Sequence, residues 1–164
     1  MSRLELTKEC VYRRPVDIVR AHFLDFDHHI EHDVHRGLRY SVLERSGDRQ
    51  RVRVEFRVLG LPKVDELLVY VAPDGSVVEE YVSGDFAGGT LRVEFEPRGP
   101  DATRVEARID FPLRGFNRLA RPLLRRVVSR LAEQAIEEDR VDLEERGYVP
   151  RSRSPGALEA AIDR

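Results

Sequence analysis

The sequence predicts an α+β fold in which an antiparallel sheet of about seven strands is followed by a long C-terminal helix. Hydrophobic residues recur with period two from Leu38 to Phe111, interrupted by turn sequences such as Pro73-Asp74-Gly75. An apolar band at helical spacing then runs from Leu119 to Ile136. Short turns between consecutive strands favour an antiparallel meander, with one face of the sheet in contact with water.

Each element is justified by its own pattern. Residues 4–13 alternate weakly and predict a first strand, and Pro15 is placed near the first position of a short helix that ends at about Leu24. The histidine-rich segment that follows predicts a second short helix, ended by Gly37. In the long helix, Pro122 must lie near the start and Gly147 marks the end. Further strands are predicted at 38–42, 52–58, 64–72, 77–83, 91–95 and 105–111.

Length and charge limit the class of protein. The 164 residues predict one domain over residues 1–149, followed by a polar, mobile tail over 150–164 with a weak helix at 157–162. The net charge of −2 gives no strong pull toward nucleic acid or an anionic membrane. Cys10 is the lone cysteine, no apolar run reaches the length of a membrane span, and the N-terminus lacks the apolar core of a signal peptide. We therefore expect a cytoplasmic protein.

Histidines are concentrated in one short segment. Four of the five histidines lie between Asp25 and His35, and His22 precedes them. If the segment is helical, His28, His32 and His35 share one face at positions i, i+4 and i+7. Such a stripe can bind iron or zinc through neutral imidazoles. The alternative is a polar, solvated helix face without a metal, so both interpretations stay open.

The order of elements resembles the START/SRPBCC superfamily, which has the helix-grip fold. The resemblance covers residues 3–149 and includes the entry to the first helix, Tyr12-Arg13-Arg14-Pro15-Val16-Asp17-Ile18-Val19, which is similar to that of cyclase/dehydrase-like members. It implies a curved sheet wrapped around the long helix, with a cavity between them. It also implies that a hydrophobic or aromatic small molecule binds there, in some members with cyclase/dehydrase-like chemistry.

Polar groups in such a cavity would orient the bound molecule. The candidates are Tyr40, Tyr70, Tyr81 and Arg108. The alternative for each tyrosine is a strand side chain packed in the core with its hydroxyl at the edge. The glycine-rich segment 84–89 lies between two strands and is not followed by a helix, so we expect a flexible lip of the pocket instead of a phosphate-binding loop.

A narrower resemblance links the chain to the catalytic domains of Rieske-type oxygenases. The sequence Ile136-Glu137-Glu138-Asp139-Arg140-Val141-Asp142 is similar to the segment that carries their carboxylate iron ligand, which maps onto Asp139. The histidine spacing differs, since those domains have Asp-x2-His-x4-His, and the cysteines of a Rieske cluster are missing. A solvated acidic face is the alternative for Asp139, with Glu138 and Asp142 as other candidate ligands.

Three functions therefore follow from the sequence. The leading one is a helix-grip protein that binds a hydrophobic or aromatic small molecule, with or without cyclase/dehydrase-like chemistry, and with no cofactor assigned. The second is a mononuclear iron or zinc enzyme that uses His28, His32 or His35 with Asp139. The third is a non-catalytic partner-binding domain, which would expose an apolar patch at the mouth of the cavity.

Overall fold

The computed structural model describes residues 2–151. A first strand and two short helices precede six further strands, and the chain then forms a short helix, a long helix and one π-helical turn. The bounds are β1 Arg3–Tyr12, α1 Val16–Leu24, α2 Phe26–Glu31, β2 Arg39–Ser46, β3 Arg49–Val58, β4 Leu61–Val71, β5 Val77–Ser83, β6 Thr90–Pro97, β7 Thr103–Pro112, α3 Phe116–Leu119, α4 Arg121–Arg140 and the π turn Val141–Glu145.

The seven strands form one sheet in the order β1-β7-β6-β5-β4-β3-β2, and every pair is antiparallel. The first strand therefore closes onto the last, and the other strands follow as a meander. Register shifts at Val42/Glu44 and Glu66/Leu67 interrupt two of the ladders, and such bulges bend a strand. The predicted α+β helix-grip architecture, with two short helices after the first strand, is confirmed.

The long helix packs against the inner face of the sheet through its apolar side. Leu124 and Val128 of α4 are buried in one cluster with Leu4 of β1 and Phe111 of β7. Pro122 lies in the first turn, where its missing N–H would have had no helical partner. The π turn continues the helix to Glu145, and the predicted stop at Gly147 adopts a φ of +69°. No helix within residues 2–151 is long and apolar enough to cross a membrane.

The segment between β5 and β6 is held in place by hydrogen bonds to a buried carboxylate of β4. Buried Asp65 accepts hydrogen bonds from the backbone N–H groups of Asp85, at 2.8 Å, and Phe86, at 3.4 Å. Phe86 is itself buried, and its ring stacks on Phe111 with centroids 4.4 Å apart. The segment predicted as a flexible lip therefore contributes a fixed side chain to the core. The predicted tail helix at 157–162 lies outside the described residues.

Replacing Gly84 with alanine should strongly destabilise the protein. Gly84 has a φ of +92°, and a Cβ there would lie 1.8 Å from Asp65 Oδ1 and 2.6 Å from the Val64 carbonyl oxygen. The left-handed backbone costs about 1–2 kcal/mol, and displacing the buried carboxylate should bring the total to about 3 kcal/mol or more. Urea denaturation measures the difference.

Gly99→Ala is the matched control, because Gly99 has a φ of +83° but a Cβ added there would meet no atom within 4 Å. It should cost only the backbone contribution of about 1–2 kcal/mol. Equal losses in the two variants would contradict the tight packing between Gly84 and Asp65.

Candidate ligand cavity and buried histidine–carboxylate cluster

A cavity of about 180 Å³ lies between the inner face of the sheet and α4. Its walls are largely apolar, because inward positions of the strands alternate with solvent-facing charged ones. Val54, Phe56 and Leu67 line it from the sheet. Leu131, Ala132 and Ile136 line it from the helix. The cavity is smaller than the roughly 300–1,000 Å³ of drug-sized ligand sites, so it suits a small molecule.

Polar side chains gather where α2, β2 and the end of α4 meet the cavity. The rings of His29 and His35 stack with centroids 4.8 Å apart, and His35 lies 6.0 Å from the ring of Tyr40. His35 Nε2 is 3.3 Å from Asp139 Oδ1. All four residues line the cavity, as do Glu79 and Tyr81 of β5. The cavity therefore has an apolar body and a polar end.

Glu79 is an unusual carboxyl group for such an apolar wall. Burial raises its pKa to about 7, Asp139 acts in the same direction, and His35 opposes the shift. Burial also raises the pKa of Tyr40 and of Tyr81 well above 10, so both hydroxyls remain hydrogen-bond donors at neutral pH. The polar end can thus offer one carboxyl group that changes protonation near neutrality and two permanent donors.

Two buried imidazoles each use one ring nitrogen for a hydrogen bond. His22 Nε2 is 2.9 Å from Asp142 Oδ2, and His29 Nε2 is 2.9 Å from the His22 carbonyl oxygen. A carbonyl can only accept, so Nε2 of His29 carries the proton. Burial lowers the pKa of His29 well below 6.5, and the nearby His35 and His22 add to this effect. His29 is therefore a neutral imidazole with a free Nδ1 lone pair.

The carboxylates of the long helix meet these histidines inside the protein. Asp139 and Asp142 are only 4% and 1% exposed. Burial raises the pKa of Asp139. Burial would raise the pKa of Asp142 as well, but hydrogen bonds from His22 and His28 outweigh it and lower that pKa. Burial opposes a charge on His35, yet Asp139 and Glu138 outweigh it and raise the pKa of His35.

The structure brings some of the predicted cavity residues together and separates others. Tyr40 and Tyr81 line the cavity. Tyr70 lies on the other face of β4, where its hydroxyl donates to Glu80 at 2.6 Å. Arg108 is exposed on β7 and pairs with Glu94 and Glu106. The placement of Tyr70 and Arg108 at the cavity is wrong, because each has the opposite strand parity to the inward residues beside it.

The predicted histidine stripe is wrong in its spacing. Helix α2 ends at Glu31, His32 caps it, and Asp33 adopts a φ of +45°. His32 is consequently exposed. His28 points to Asp142, with Nε2 2.6 Å from Oδ2, whereas His35 reaches Glu138 and Asp139. Of the three predicted histidines, His35 does converge with Asp139. The other histidines beside Asp139 are His22 and His29, which the helical periodicity did not select.

Sequence reasoning missed three residues of the site. The predicted stripe does not include His22 or His29, yet both are buried beside Asp139. Glu79 was missed although the alternation Val77-Glu79-Tyr81 places it on the inward face of β5. The sequence signal for Glu79 is a charged residue with the same strand parity as the apolar residues around it.

Several solved structures are similar to this chain. A Thermus thermophilus protein shares 19% identity, with a TM-score of 0.74, over 88% of this chain and 99% of that one. The Zhui aromatase/cyclase from a Streptomyces species shares 17%, with a TM-score of 0.74, over 90% and 100% of the two chains. A START superfamily protein from Mycobacterium smegmatis shares 17%, with a TM-score of 0.71, over 86% and 97%.

A comparison with curated proteins gave no match. The resemblance to Rieske-type oxygenases receives no support from the family match or from these structures. The model of the family described as "Polyketide cyclase / dehydrase and lipid transport" matches residues 3–142, which is most of the chain. With its seven-stranded sheet, long helix and internal cavity, the chain belongs to this polyketide cyclase/dehydrase family of the START/SRPBCC superfamily.

Proposed function

We propose that the protein binds a small aromatic or hydrophobic molecule in the cavity and catalyses proton transfer on it, as a cyclase or dehydratase requires. The observation that carries the proposal is the carboxyl group of Glu79 in the wall of the cavity, where an apolar body meets a polar end. The volume of about 180 Å³ favours a ligand of one or two rings over a long lipid chain. The similarity to an aromatase/cyclase is consistent with this ligand class.

The polar end suits a ligand with a carbonyl group. A ring packed against Phe56 and Ala132 would place its oxygen toward the hydroxyls of Tyr40 and Tyr81, which line the same cavity. Donors in a water-poor site stabilise the negative charge that develops on an enolate oxygen. Glu79 would then remove the α-proton and return it at another atom, which is the step shared by intramolecular aldol cyclisation and dehydration.

Filling the cavity should prevent ligand binding. Ala107 lines the cavity from β7, so Ala107→Phe would place a ring in the space that the ligand needs. We expect the wild-type protein to bind 2-naphthol with a Kd below about 1 mM. The variant should bind at least about tenfold more weakly, as followed by naphthol fluorescence and isothermal titration calorimetry.

Arg108→Ala is the control, since the neighbouring residue faces solvent and forms only surface ion pairs. It should leave the Kd unchanged within about twofold. Equal binding by the wild type and the Ala107→Phe variant would place the ligand elsewhere. No binding by the wild type would contradict the proposal and favour a partner-binding role.

Glu79→Gln should greatly slow proton transfer but keep ligand binding. With 2-tetralone in D2O, NMR follows the exchange of the α-protons, and the variant should lose about 10²–10⁴ in rate. A base must be ionised to act, so the wild-type rate should rise with pH and level off above the pKa of Glu79, about 7. The assay uses chelator-treated protein.

Glu80→Gln is the matched control, because Glu80 is the next residue of β5 and accepts a hydrogen bond from Tyr70 on the opposite face. Its exchange rate should equal that of the wild type. If Glu79→Gln exchanged the α-protons as fast as Glu80→Gln, Glu79 would not be the base.

A further inference from the structure

Three atoms in the interior lack the hydrogen bonds that buried polar atoms normally have. They are Nδ1 of His22, Nδ1 of His29 and Oδ1 of Asp139, and within residues 2–151 they account for most of the buried side-chain atoms without a partner. The residues are 0%, 8% and 4% exposed. An unpaired buried polar atom costs about 1–3 kcal/mol, so three of them side by side point to a missing partner.

The three residues converge. Each offers one donor atom, and these atoms lie within 4.8 Å of one another. His22 Nδ1 is 3.8 Å from Asp139 Oδ1. Ligand atoms at about 2.1 Å from a shared metal ion are about 3.4 Å apart in a tetrahedral site. Small side-chain rotations would therefore bring all three to ligand distance.

We propose that His22, His29 and Asp139 bind a divalent transition-metal ion through Nδ1, Nδ1 and Oδ1. Imidazole nitrogen favours ions of the zinc and iron(II) class over calcium or magnesium, which prefer oxygen. Two histidines and one carboxylate leave coordination positions for water or for a ligand. Since His29 and Asp139 line the cavity, the open positions would face the bound small molecule.

The surroundings already orient the imidazoles for this role. Metal-binding histidines usually donate their second N–H to a carboxylate or a backbone carbonyl. His22 does so to Asp142, and His29 does so to the carbonyl of His22, both at 2.9 Å. The second set of convergent groups, His22, His28 and Asp142, is less suitable. Its histidines are already hydrogen bonded to Asp142 at 2.9 and 2.6 Å.

His35 is the competing partner for Asp139. Its Nε2 lies 3.3 Å from Oδ1, but Oδ1 receives no aligned hydrogen bond. An imidazolium at His35 would balance the charge of Asp139 without filling the lone pairs of His22 and His29. A bound metal ion would give a partner to all three unpaired atoms, whereas the His35–Asp139 ion pair would give a partner only to Oδ1 of Asp139.

The test is a Co²⁺ and Zn²⁺ titration of untagged, chelator-treated protein. Co²⁺ d–d absorption reports nitrogen ligation and coordination number, and calorimetry gives the Zn²⁺ Kd and stoichiometry. We expect one site with a Kd below about 10 µM. His29→Ala and Asp139→Asn should each weaken binding by more than about 100-fold, and Asp142→Asn, which loses only the orienting partner, by about 10–100-fold. Circular dichroism of the metal-free variants verifies folding.

His32→Ala is the matched control, because His32 is an exposed histidine of the same segment, and it should leave the Kd unchanged. Loss of binding in His28→Ala with retention in His29→Ala would move the ion to the other group and overturn the proposal. Absence of Co²⁺ and Zn²⁺ binding by the wild type would also overturn it, and would leave the His35–Asp139 ion pair as the role of the cluster. Neither result depends on the proposed ligand, since both readouts concern the metal alone.

Discussion

The carboxylate of Asp142 joins three parts of the chain in the interior. It lies on the π turn after α4 and accepts from His22 of α1 at 2.9 Å and from His28 of α2 at 2.6 Å. A buried charge is tolerated only when it is paired and hydrogen bonded, so both helices must stay against the end of the long helix. His29 of α2 and Asp139 of the long helix line the cavity, so the same constraint holds these polar residues in place.

The cavity has apolar walls and a polar end. The strands line it with alternate residues, and the long helix lines it with residues at helical spacing. The strands supply an apolar wall from alternate residues, and Glu79 interrupts that wall at one inward position. The long helix supplies an apolar stripe that ends at Ile136, after which Asp139 continues the same inward side. A small aromatic molecule would therefore be held by its rings and oriented by its oxygen. Metal binding and proton transfer would meet at the same end.

The fold was predictable because it rests on local patterns. Period-two alternation, turn sequences and the apolar band from Leu119 to Ile136 are properties of neighbouring residues. The site was only partly predictable, since it depends on contacts between distant elements, such as His22 with Asp142. The helical spacing of the histidines failed because α2 ends at Glu31 and the backbone turns at Asp33. Strand parity would have identified Glu79 and removed Arg108 from the site.

The measurement that tests the buried cluster most directly is ¹⁵N NMR of the histidine tautomers in metal-free protein at neutral pH. The hydrogen bonds to Asp142 and to the His22 carbonyl require that His22 and His29 carry a proton on Nε2. We expect both Nδ1 atoms to show the shift of an unprotonated nitrogen. A neutral ring without a proton on Nε2 would contradict the hydrogen-bond network. A proton on Nδ1 of either ring would contradict the free lone pairs on which metal binding depends.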